Sequence, residues 1–134
     1  MYLFDTDVIT NIFKQKPAPK LLKRLAAVEQ RHQYVATTTV AEIVYGAWKS
    51  GRPQYHLDNL ENILLPAVNI VGLDCKAAYA CGALRARLEK AGMPLALADL
   101  EIAAIAIVNQ FTLVTGNVRH FTRIPELSVE NWLT

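Results

Sequence analysis

Acidic side chains follow or interrupt strongly apolar segments at two places in this 134-residue chain. Asp5 and Asp7 come directly after the apolar run MYLF, which is typical of a buried strand. Asp99 lies within residues 95–108, a segment in which twelve of the fourteen residues are apolar. A buried carboxylate is unfavourable unless it is paired or bound to a metal ion. The pattern therefore points to carboxylate chemistry at the ends of buried elements.

Two further polar residues follow predicted strands. Glu42 lies one turn into a predicted helix that comes after a strand over residues 33–38. Gly46 is on the same face of that helix one turn later and leaves space beside the acid. Asn117 follows a predicted strand at residues 112–115. Both side chains are therefore placed near the same kind of strand end as Asp5.

Each of these residues also has a local explanation that requires no function. The sequence Thr39-Val40-Ala41-Glu42 fits the S/T-x-x-E capping box, in which the acid only helps to start a helix. Asp and Asn are common in turns and at helix N-caps. On that basis Asp5 is a turn or cap residue, Asp7 and Asp99 are helix N-caps, and Asn117 is a turn residue.

The elements that must position these side chains alternate between strands and helices. Predicted strands cover residues 1–4, 33–38, 68–72 and 112–115, with a last edge strand in 127–132. Predicted helices begin at Asp7 and Thr39 and cover about 19–30, 54–64, 74–91 and 98–109, with a short segment to Phe121. This alternation predicts one α/β domain over residues 1–134, with helices on both faces of a mainly parallel sheet.

The carboxyl ends of parallel strands meet at one edge of a sheet, where α/β proteins bind their ligands. Asp5, Glu42, Asp99 and Asn117 would then converge at that edge. Carboxylates in one site repel one another unless a cation is present, and oxygen ligands suit Mg²⁺ or Mn²⁺ rather than zinc. Such an ion activates water and neutralises charge on a phosphoryl oxygen. The predicted reaction is therefore hydrolysis of a phosphodiester.

Four segments resemble, in order, the motifs of the PIN-domain ribonucleases, and specifically of the VapC toxins of bacterial type II toxin–antitoxin pairs. The segments are YLFDTDVI, TTTVAEIVYG, MPLALADLEIAAIAI and LVTGNVRHFTRIPELSVENW. Together they extend from residue 2 to about residue 132. The resemblance implies a PIN-like three-layer α/β/α sandwich.

The resemblance also implies roles for individual residues. It makes Asp5, Glu42 and Asp99 catalytic residues that hold Mg²⁺ or Mn²⁺, with Asn117 completing the catalytic set. Many members have an acid in place of Asn117, and the family commonly has Asn where Asp7 stands, so the number of metal ions stays open. Candidates for substrate contacts are Thr6, Thr115, Arg119 and His120.

Charge is unevenly distributed along the chain. The formal net charge is +2, from 14 Lys and Arg against 12 Asp and Glu, which is too small to indicate nucleic-acid binding by itself. Residues 1–56 carry eight cations and four acids, whereas residues 57–134 carry six and eight. The segment from Lys14 to Arg24 has five cations and no acid, and is either a solvated helix face or a contact surface for RNA phosphates. Neither G-x-G-x-x-G nor G-x-x-x-x-G-K occurs, which argues against dinucleotide and P-loop sites.

Two cysteines, Cys75 and Cys81, lie six residues apart on a predicted helix, about 9 Å along its axis and too far apart for a disulfide. Two free, buried thiols are typical of a reducing cytosol, so we predict a cytoplasmic protein. We predict neither a signal peptide nor a membrane span, because the longest apolar run covers only residues 102–108.

The implied function is that of a metal-dependent endoribonuclease toxin acting on tRNA or another structured RNA. The resemblance implies a cognate VapB-type antitoxin, a homodimer within a toxin–antitoxin hetero-oligomer, and DNA contact only through the antitoxin. A partner helix would fit a groove on the first two helices, although the same residues are typical of a core: Ile9, Ile12, Phe13, Leu21, Leu22 and Leu25. The alternative is a catalytically weak PIN-fold protein that acts as an RNA- or protein-binding module.

Overall fold

The central feature of the fold is a five-stranded sheet in which all neighbouring strands are parallel. The computed structural model describes all 134 residues. The strands are β1 (Tyr2–Phe4), β2 (Gln33–Ala36), β3 (Asn69–Val71), β4 (Thr112–Val114) and β5 (Val129–Glu130). Their order across the sheet is β3-β2-β1-β4-β5, so β1 lies in the middle with a neighbour on each side. The predicted α/β class and parallel sheet are confirmed.

Helices follow the strands and cover both faces of the sheet. They are α1 (Thr6–Ile12), α2 (Pro19–Ala27), α3 (Thr37–Lys49), α4 (Pro53–Asn59), α5 (Leu65–Ala67), α6 (Cys75–Lys90), α7 (Leu97–Asn109) and α8 (Val118–Phe121). A single 3₁₀ turn, Gln30–His32, precedes β2, and a π-helical turn, Leu60–Leu64, joins α4 to α5.

Successive residues of a strand point to opposite faces of the sheet, which divides the core into two layers. Leu3 and Leu113 pack with residues of α6 and α7 in one apolar cluster. Phe4, Val35 and Val114 pack with residues of α1, α2 and the π-helical turn in the other. The result is the three-layer α/β/α sandwich that the resemblance implied.

Two of the predicted helix N-caps are wrong. α1 begins at Thr6, and its N-cap is Asp5 rather than Asp7, because the Asp5 carboxylate accepts a hydrogen bond from the Thr6 backbone N–H at 2.8 Å. α7 begins before Asp99, which lies in the first turn behind the N-cap Ala96. Both acids therefore lie in the first turn of their helices, and neither side chain is used as an N-cap.

The start of α3 also differs from the prediction. It begins at Thr37 rather than Thr39, and its N-cap residue Ala36 makes no side-chain hydrogen bond. Thr39 and Glu42 both lie within the helix, so the predicted capping box is wrong. Three consecutive threonines are possible helix starts in this sequence, and Thr39 contacts the Thr6 hydroxyl instead of capping the helix.

Pro66 does not stop the preceding helix, contrary to the predicted end at residue 64. The hydrogen bonds widen to the π pattern over Leu60–Leu64, and α5 then restarts with Pro66 in its first turn. The backbone of Leu64 and Leu65 stays right-handed helical, so the chain passes into α5 without a break. The predicted helix over 19–30 ends earlier, at Ala27.

Three further details correct or complete the predictions. Cys75 is exposed at the start of α6, whereas Cys81 is buried, and both thiols are free. Glu101, which its position two residues after Asp99 predicts to face solvent, is only half-exposed and accepts a hydrogen bond from the Thr38 hydroxyl at 3.3 Å. No helix has the length and apolar character needed to cross a membrane.

The basic segment on α2 binds the C-terminal tail. Lys20 donates hydrogen bonds from Nζ to the carbonyl oxygens of Asn131 and Thr134 at 3.0 and 2.9 Å. Arg24 forms an ion pair with Glu130 at 2.9 Å, and its guanidinium lies 4.6 Å from the centre of the Trp132 ring. Lys20 and Arg24 therefore stabilise the fold. The other three cations between Lys14 and Arg24, which are Lys14, Lys16 and Lys23, are exposed and remain candidates for contact with RNA.

Candidate active site

The polar side chains singled out in the sequence gather beyond the carboxyl end of the central strand. Asp5 follows β1, Asp99 lies in the first turn of α7, and Glu42 lies in α3. The charge of Asp99 acts on Asp5, and the charges of Asp7 and Glu42 act on Asp99. Four carboxylates from three separate parts of the chain therefore share one electrostatic environment.

Asp5 is the most buried of these acids, with 5% of its surface exposed. Its Oδ1 accepts from the Thr6 N–H at 2.8 Å, and its Oδ2 accepts from the Thr115 hydroxyl at 2.8 Å. The Thr115 hydroxyl oxygen in turn accepts from the Asn117 N–H at 3.0 Å. This chain of hydrogen bonds fixes the Asp5 carboxylate and links the end of β1 to the loop after β4.

Glu42 is held at the open side of the site by Thr6. The Thr6 hydroxyl donates to Glu42 Oε1 at 2.7 Å, and the Thr6 and Thr39 hydroxyl oxygens lie 3.1 Å apart. Thr39 is fully buried beneath this contact. The sequence predicts Thr39 as a capping residue and gives no sign of its contact with Thr6. This contact depends on the pairing of β1 with β2, which brings α1 and α3 together.

His120 lies next to Asp99, whereas its neighbours at this edge point outward. The His120 Nδ1 is 3.6 Å from Asp99 Oδ2, a distance for charge attraction rather than a hydrogen bond. Arg119 and Asn117 are exposed, and Asn117 is the N-cap residue of α8 without a side-chain capping bond. The Asn117 amide is thus available at the same edge but is not in contact with the acids in the structure.

The pKa values of the two central acids are displaced upwards. Burial raises the pKa of Asp5 to about 6, even though the hydrogen bonds from Thr115 and Thr6 oppose the change. Burial also raises the pKa of Asp99, with His120 acting in the opposite direction and Glu42 and Asp7 reinforcing it. Ionised carboxylates are therefore unfavourable here in the absence of a cation.

The raised pKa of Asp5 predicts a specific dependence of stability on pH. The folded state binds a proton near pH 6, whereas an unfolded Asp binds it near 3.8, so stability is gained as pH falls through about 6. In EDTA we expect the titration of Asp5 alone to make the free energy of unfolding about 1 kcal/mol higher at pH 5 than at pH 7.5. Urea denaturation at the two pH values measures the difference.

The variant Asp5→Asn is the control for this pH effect, because it cannot titrate. Asp99 titrates in the same direction and remains in the variant, so the test is the part of the pH difference that the substitution removes. An unchanged pH difference in Asp5→Asn would show that the Asp5 carboxyl has an ordinary pKa.

The donor set fits a hydrated divalent cation rather than a closed cage of ligands. No three His, Cys, Asp or Glu side chains lie close enough together to form a ready-made metal site. Mg²⁺ keeps several waters and is usually bound through one or two carboxylates, a requirement that Asp5 and Asp99 meet. Asp7 Oδ1 is in addition buried without any hydrogen-bond partner, which leaves negative charge at the site uncompensated.

A cavity of about 320 Å³ opens directly beside these side chains. Thr6 and Glu42 contribute to its wall at the active-site end. The remaining wall is mainly apolar and comes from α1, α3, α4 and the π-helical turn. A second cavity of about 160 Å³ continues along α1 and α2, with Ile12, Phe13 and Leu25 in its wall. The two cavities share Ile9, Phe13 and Leu64 in their walls and form one groove, which ends at Thr6 and Glu42. A molecule that fills the groove therefore lies next to the active site.

Comparison with known families identifies the family to which the chain belongs. The sequence profile of the PIN domain matches residues 2–127. The chain belongs to the PIN-domain family. Ribonuclease VapC2 of Rickettsia felis is 30% identical to this PIN domain over 132 residues, with 98% of each chain covered. The tRNA(fMet)-specific endonuclease VapC of Salmonella typhimurium is 31% identical over 132 residues, covering 98% of this chain and 99% of the relative. The family implied by the sequence motifs, VapC, is thereby confirmed.

Solved structures give the same result for the fold. The structure of VapBC2 from Rickettsia felis, bound to a DNA fragment from its promoter, superposes with a TM-score of 0.90 at 30% identity, with 98% of each chain covered. FitAcB from Neisseria gonorrhoeae superposes with a TM-score of 0.88 at 26% identity, covering 98% of this PIN domain and 97% of that chain. The fold of this chain is therefore shared with these structures.

Proposed function

We propose that this protein is a Mg²⁺- or Mn²⁺-dependent endoribonuclease toxin of a type II toxin–antitoxin pair. The observation that carries the proposal is the buried Asp5 carboxylate, which two hydrogen bonds fix in place and whose pKa is raised by burial and, to a smaller extent, by Asp7 and Asp99. A fold keeps such an arrangement at the cost of stability, which is typical of a functional site. The relatives named ribonucleases share the fold over nearly the whole chain.

Each polar residue at the edge has an expected task. Asp5 and Asp99 are the residues that we expect to hold the cation, with Glu42 at the open side of the site. When bound, a divalent ion lowers the pKa of water and neutralises charge on a phosphoryl oxygen. Thr115 orients Asp5, and Thr6 orients Glu42, through the hydrogen bonds described above.

The substrate that we propose is RNA, with tRNA or another structured RNA as the first choice. His120 lies exposed next to Asp99, and Arg119 is exposed beside it in the sequence, so both side chains are placed to contact phosphate groups of the substrate. Asn117, Thr6 and Thr115 complete the polar surface that faces the backbone of the RNA. The Salmonella relative is named for tRNA(fMet), which makes initiator tRNA the first substrate to test.

The test is cleavage of purified tRNA and of structured RNAs by the purified protein with Mg²⁺, with Mn²⁺ and with EDTA. We expect cleavage that EDTA abolishes, and its loss in Asp99→Asn. Cleavage that persists in EDTA or in Asp99→Asn would overturn the metal-site assignment. A single-stranded DNA of the same sequence serves as the control for the choice of nucleic acid.

The second candidate function is a catalytically weak binding module for RNA or protein. Asn117 favours it, since an amide at this edge supplies no negative charge for a second cation. The same experiment separates the two functions: a binding module would show no cleavage of any RNA and no rise in melting temperature on addition of a divalent cation.

We infer that a VapB-type antitoxin binds the groove along α1 and α2 and blocks the active site. The neighbouring solved structures are VapBC complexes, and the groove ends at Thr6 and Glu42. Of the residues predicted to form it, Ile12, Phe13 and Leu25 line a cavity, whereas Leu21 is fully buried in the core. We propose that DNA contact is made only through the antitoxin, as the family resemblance implies.

Ile63 offers a specific test of this groove. It is 55% exposed on the π-helical turn and contributes to the wall of the smaller cavity. We expect Ile63→Glu to fold normally and to escape inhibition of RNA cleavage by the antitoxin that co-purifies with the chain from its host. Tyr79→Glu is the matched control, because Tyr79 is 80% exposed on α6, in the opposite layer. Equal inhibition of both variants would place the antitoxin elsewhere.

We propose that the chain acts as one domain over residues 1–134, as a homodimer and within a hetero-oligomer with its antitoxin. Tyr45 and Trp48, 64% and 67% exposed and three residues apart on α3, form the surface that we assign to the second copy. The free thiols support a cytoplasmic location.

A further inference from the structure

The last residues of the chain lie against the loop between β4 and α8, residues 115–117. The backbone N–H of Thr115 donates a hydrogen bond to the carbonyl oxygen of Glu130 at 3.0 Å. One residue further on, a Cβ built at Gly116 would lie 2.8 Å from Leu133 Cδ1. The end of the chain therefore holds two consecutive residues of this loop.

The first turn of α1 contacts the same glycine. The Gly116 N–H donates a hydrogen bond to Asp7 Oδ2 at 2.9 Å, and the built Cβ would lie 2.7 Å from that oxygen. Heavy atoms that are not bonded to each other do not approach this closely, so only glycine fits beside Asp7 and Leu133. The loop is thus in close contact with both α1 and Leu133.

Leu133 is held in place although it lies one residue from the end of the sequence. Lys20 Nζ donates hydrogen bonds to the carbonyl oxygens of Asn131 and Thr134, on either side of Leu133, at 3.0 and 2.9 Å. The Leu133 N–H donates to the Asn131 side-chain oxygen at 2.8 Å, and the Leu133 side chain packs against the apolar cluster that contains Trp132. Chain ends are usually poorly ordered unless they are tied down, so these contacts make Leu133 a fixed support for the loop.

The loop in turn orients the most buried acid of the active site. The Thr115 hydroxyl donates to Asp5 Oδ2 at 2.8 Å and accepts from the Asn117 N–H at 3.0 Å. Thr115 and Asn117 are the backbone neighbours of Gly116, so a shift of the glycine displaces both. A contact at Gly116 therefore reaches the Asp5 carboxylate through a single side-chain hydrogen bond.

We infer that Leu133 is a positioning residue for RNA cleavage, because it holds the 115–117 loop where the Thr115 hydroxyl keeps the Asp5 carboxylate in its catalytic orientation. This inference rests on the proposed function, since it concerns the position of Asp5 in that reaction. The side chain of Leu133 has no polar atom, so it contributes position alone and acts through Gly116.

The experiment compares tRNA cleavage by wild type, Leu133→Ala, Leu133→Met and the matched control Leu65→Ala. Leu65 is also a half-buried leucine that packs against the same apolar cluster, but it lies on α5. We expect Leu133→Ala to lower kcat by about 10-fold, because a small displacement of a catalytic group is sufficient for such a loss. Leu133→Met should restore kcat, because methionine has a similar volume, and Leu65→Ala should leave it unchanged.

The Michaelis constant separates positioning from a loss of substrate contacts. Arg119 and His120, the candidates for phosphate contacts, lie on α8, which the fully buried Phe121 anchors independently of the end of the chain. We therefore expect the KM of Leu133→Ala to stay within about 3-fold of the wild-type value.

A double variant tests the route of the effect. Gly116→Ala displaces the same loop directly, since its Cβ has no space beside Leu133. If both residues act through one loop, the loss of kcat in Gly116→Ala/Leu133→Ala is smaller than the product of the two single losses. Two independent effects would multiply instead.

Amide hydrogen exchange of the full-length protein without RNA gives a readout that does not depend on cleavage. We expect the N–H groups of Gly116 and Asn117 to exchange faster in Leu133→Ala than in wild type, while the protection of β1 is unchanged. Leu65→Ala should not alter the exchange of these two groups.

The possible outcomes separate this inference from the proposed function. Wild-type kcat in Leu133→Ala, an equal loss in Leu65→Ala, losses that multiply in the double variant, or unchanged exchange at Gly116 and Asn117 would each overturn the inference while RNA cleavage by wild type still supports the proposed function. A wild type that cleaves no RNA would overturn the proposed function and, with it, the role of Leu133 in catalysis.

Discussion

Asp5→Asn should abolish RNA cleavage and at the same time make the protein more stable. We expect the rate of cleavage to fall at least about 100-fold, because the variant loses the buried charge that would hold the cation. At neutral pH and without divalent ions, we expect the free energy of unfolding to rise by about 1–2 kcal/mol. The rise follows from the raised pKa of Asp5, which shows that the ionised carboxylate is unfavourable in the folded state.

The local hydrogen bonds survive this substitution. The carbonyl oxygen of an asparagine still accepts from the Thr6 N–H, and the Thr115 hydroxyl rotates to accept from the new amide. Cleavage of tRNA and urea denaturation in EDTA measure the two effects on the same preparation. Asp74→Asn is the matched control, because Asp74 is also a helix N-cap, at 2.9 Å from the Ala77 N–H, but lies at the start of α6. If Asp5→Asn retains cleavage within a few-fold of wild type, Asp5 is not part of the catalytic machinery.

Trp132→Ala should cause the largest loss of stability of any single substitution considered for this chain. Trp132 is fully buried although it lies only two residues before the last residue of the sequence. Its ring contacts Phe4 edge-on, with the ring centres 5.4 Å apart, and its Nε1 donates to Glu130 at 3.0 Å. Truncation of a buried Trp removes about 3–5 kcal/mol from the free energy of unfolding. Urea denaturation of the variant measures this loss.

Trp48→Ala is the matched control, because it removes the same side chain from a site that is 67% exposed. We expect the stability of the monomer to change by no more than about 0.5 kcal/mol. Light scattering on the same variant tests the proposed homodimer. We expect the Trp48→Ala dimer to be weaker and therefore to dissociate at a higher protein concentration than the wild-type dimer. A similar loss of stability in both variants would mean that Trp132 is not an element of the core.

The strands and the acidic edge could be predicted from sequence because both depend on strong local signals. Apolar runs bounded by turn residues mark β1 and β4, and an acid such as Asp99 within an apolar segment requires a reason to be there. Their convergence followed once parallel pairing was assumed, since all parallel strands end at the same edge. The order of the strands did not follow, because no local pattern states that β1 lies between β2 and β4.

The helix starts and the long-range hydrogen-bond partners could not be predicted from the sequence, for a different reason. Thr37, Thr38 and Thr39 are equivalent as cap residues in the sequence, which does not show that Thr39 lies inside α3 in contact with Thr6. The hydrogen bond between Thr115 and Asp5 joins residues 110 positions apart, so it depends on the finished sheet. The exposed position of Cys75 depends on which face α6 turns to the sheet, and its weak amphipathic pattern does not indicate that.

The position of β1 between β2 and β4 also determines when during folding the active site forms. β1 is the first strand to be synthesised, and the partner that orients its terminal acid is among the last twenty residues of the sequence. Contacts this distant in the chain form slowly, because the intervening loop must be closed first. A nascent or truncated chain that lacks β4 has Asp5 but no Thr115, and therefore no fixed carboxylate. The Asp5 carboxylate is thus fixed only after β4 and Thr115 have been synthesised, which leaves an interval in which α1 and α2 exist before the acids reach their final arrangement.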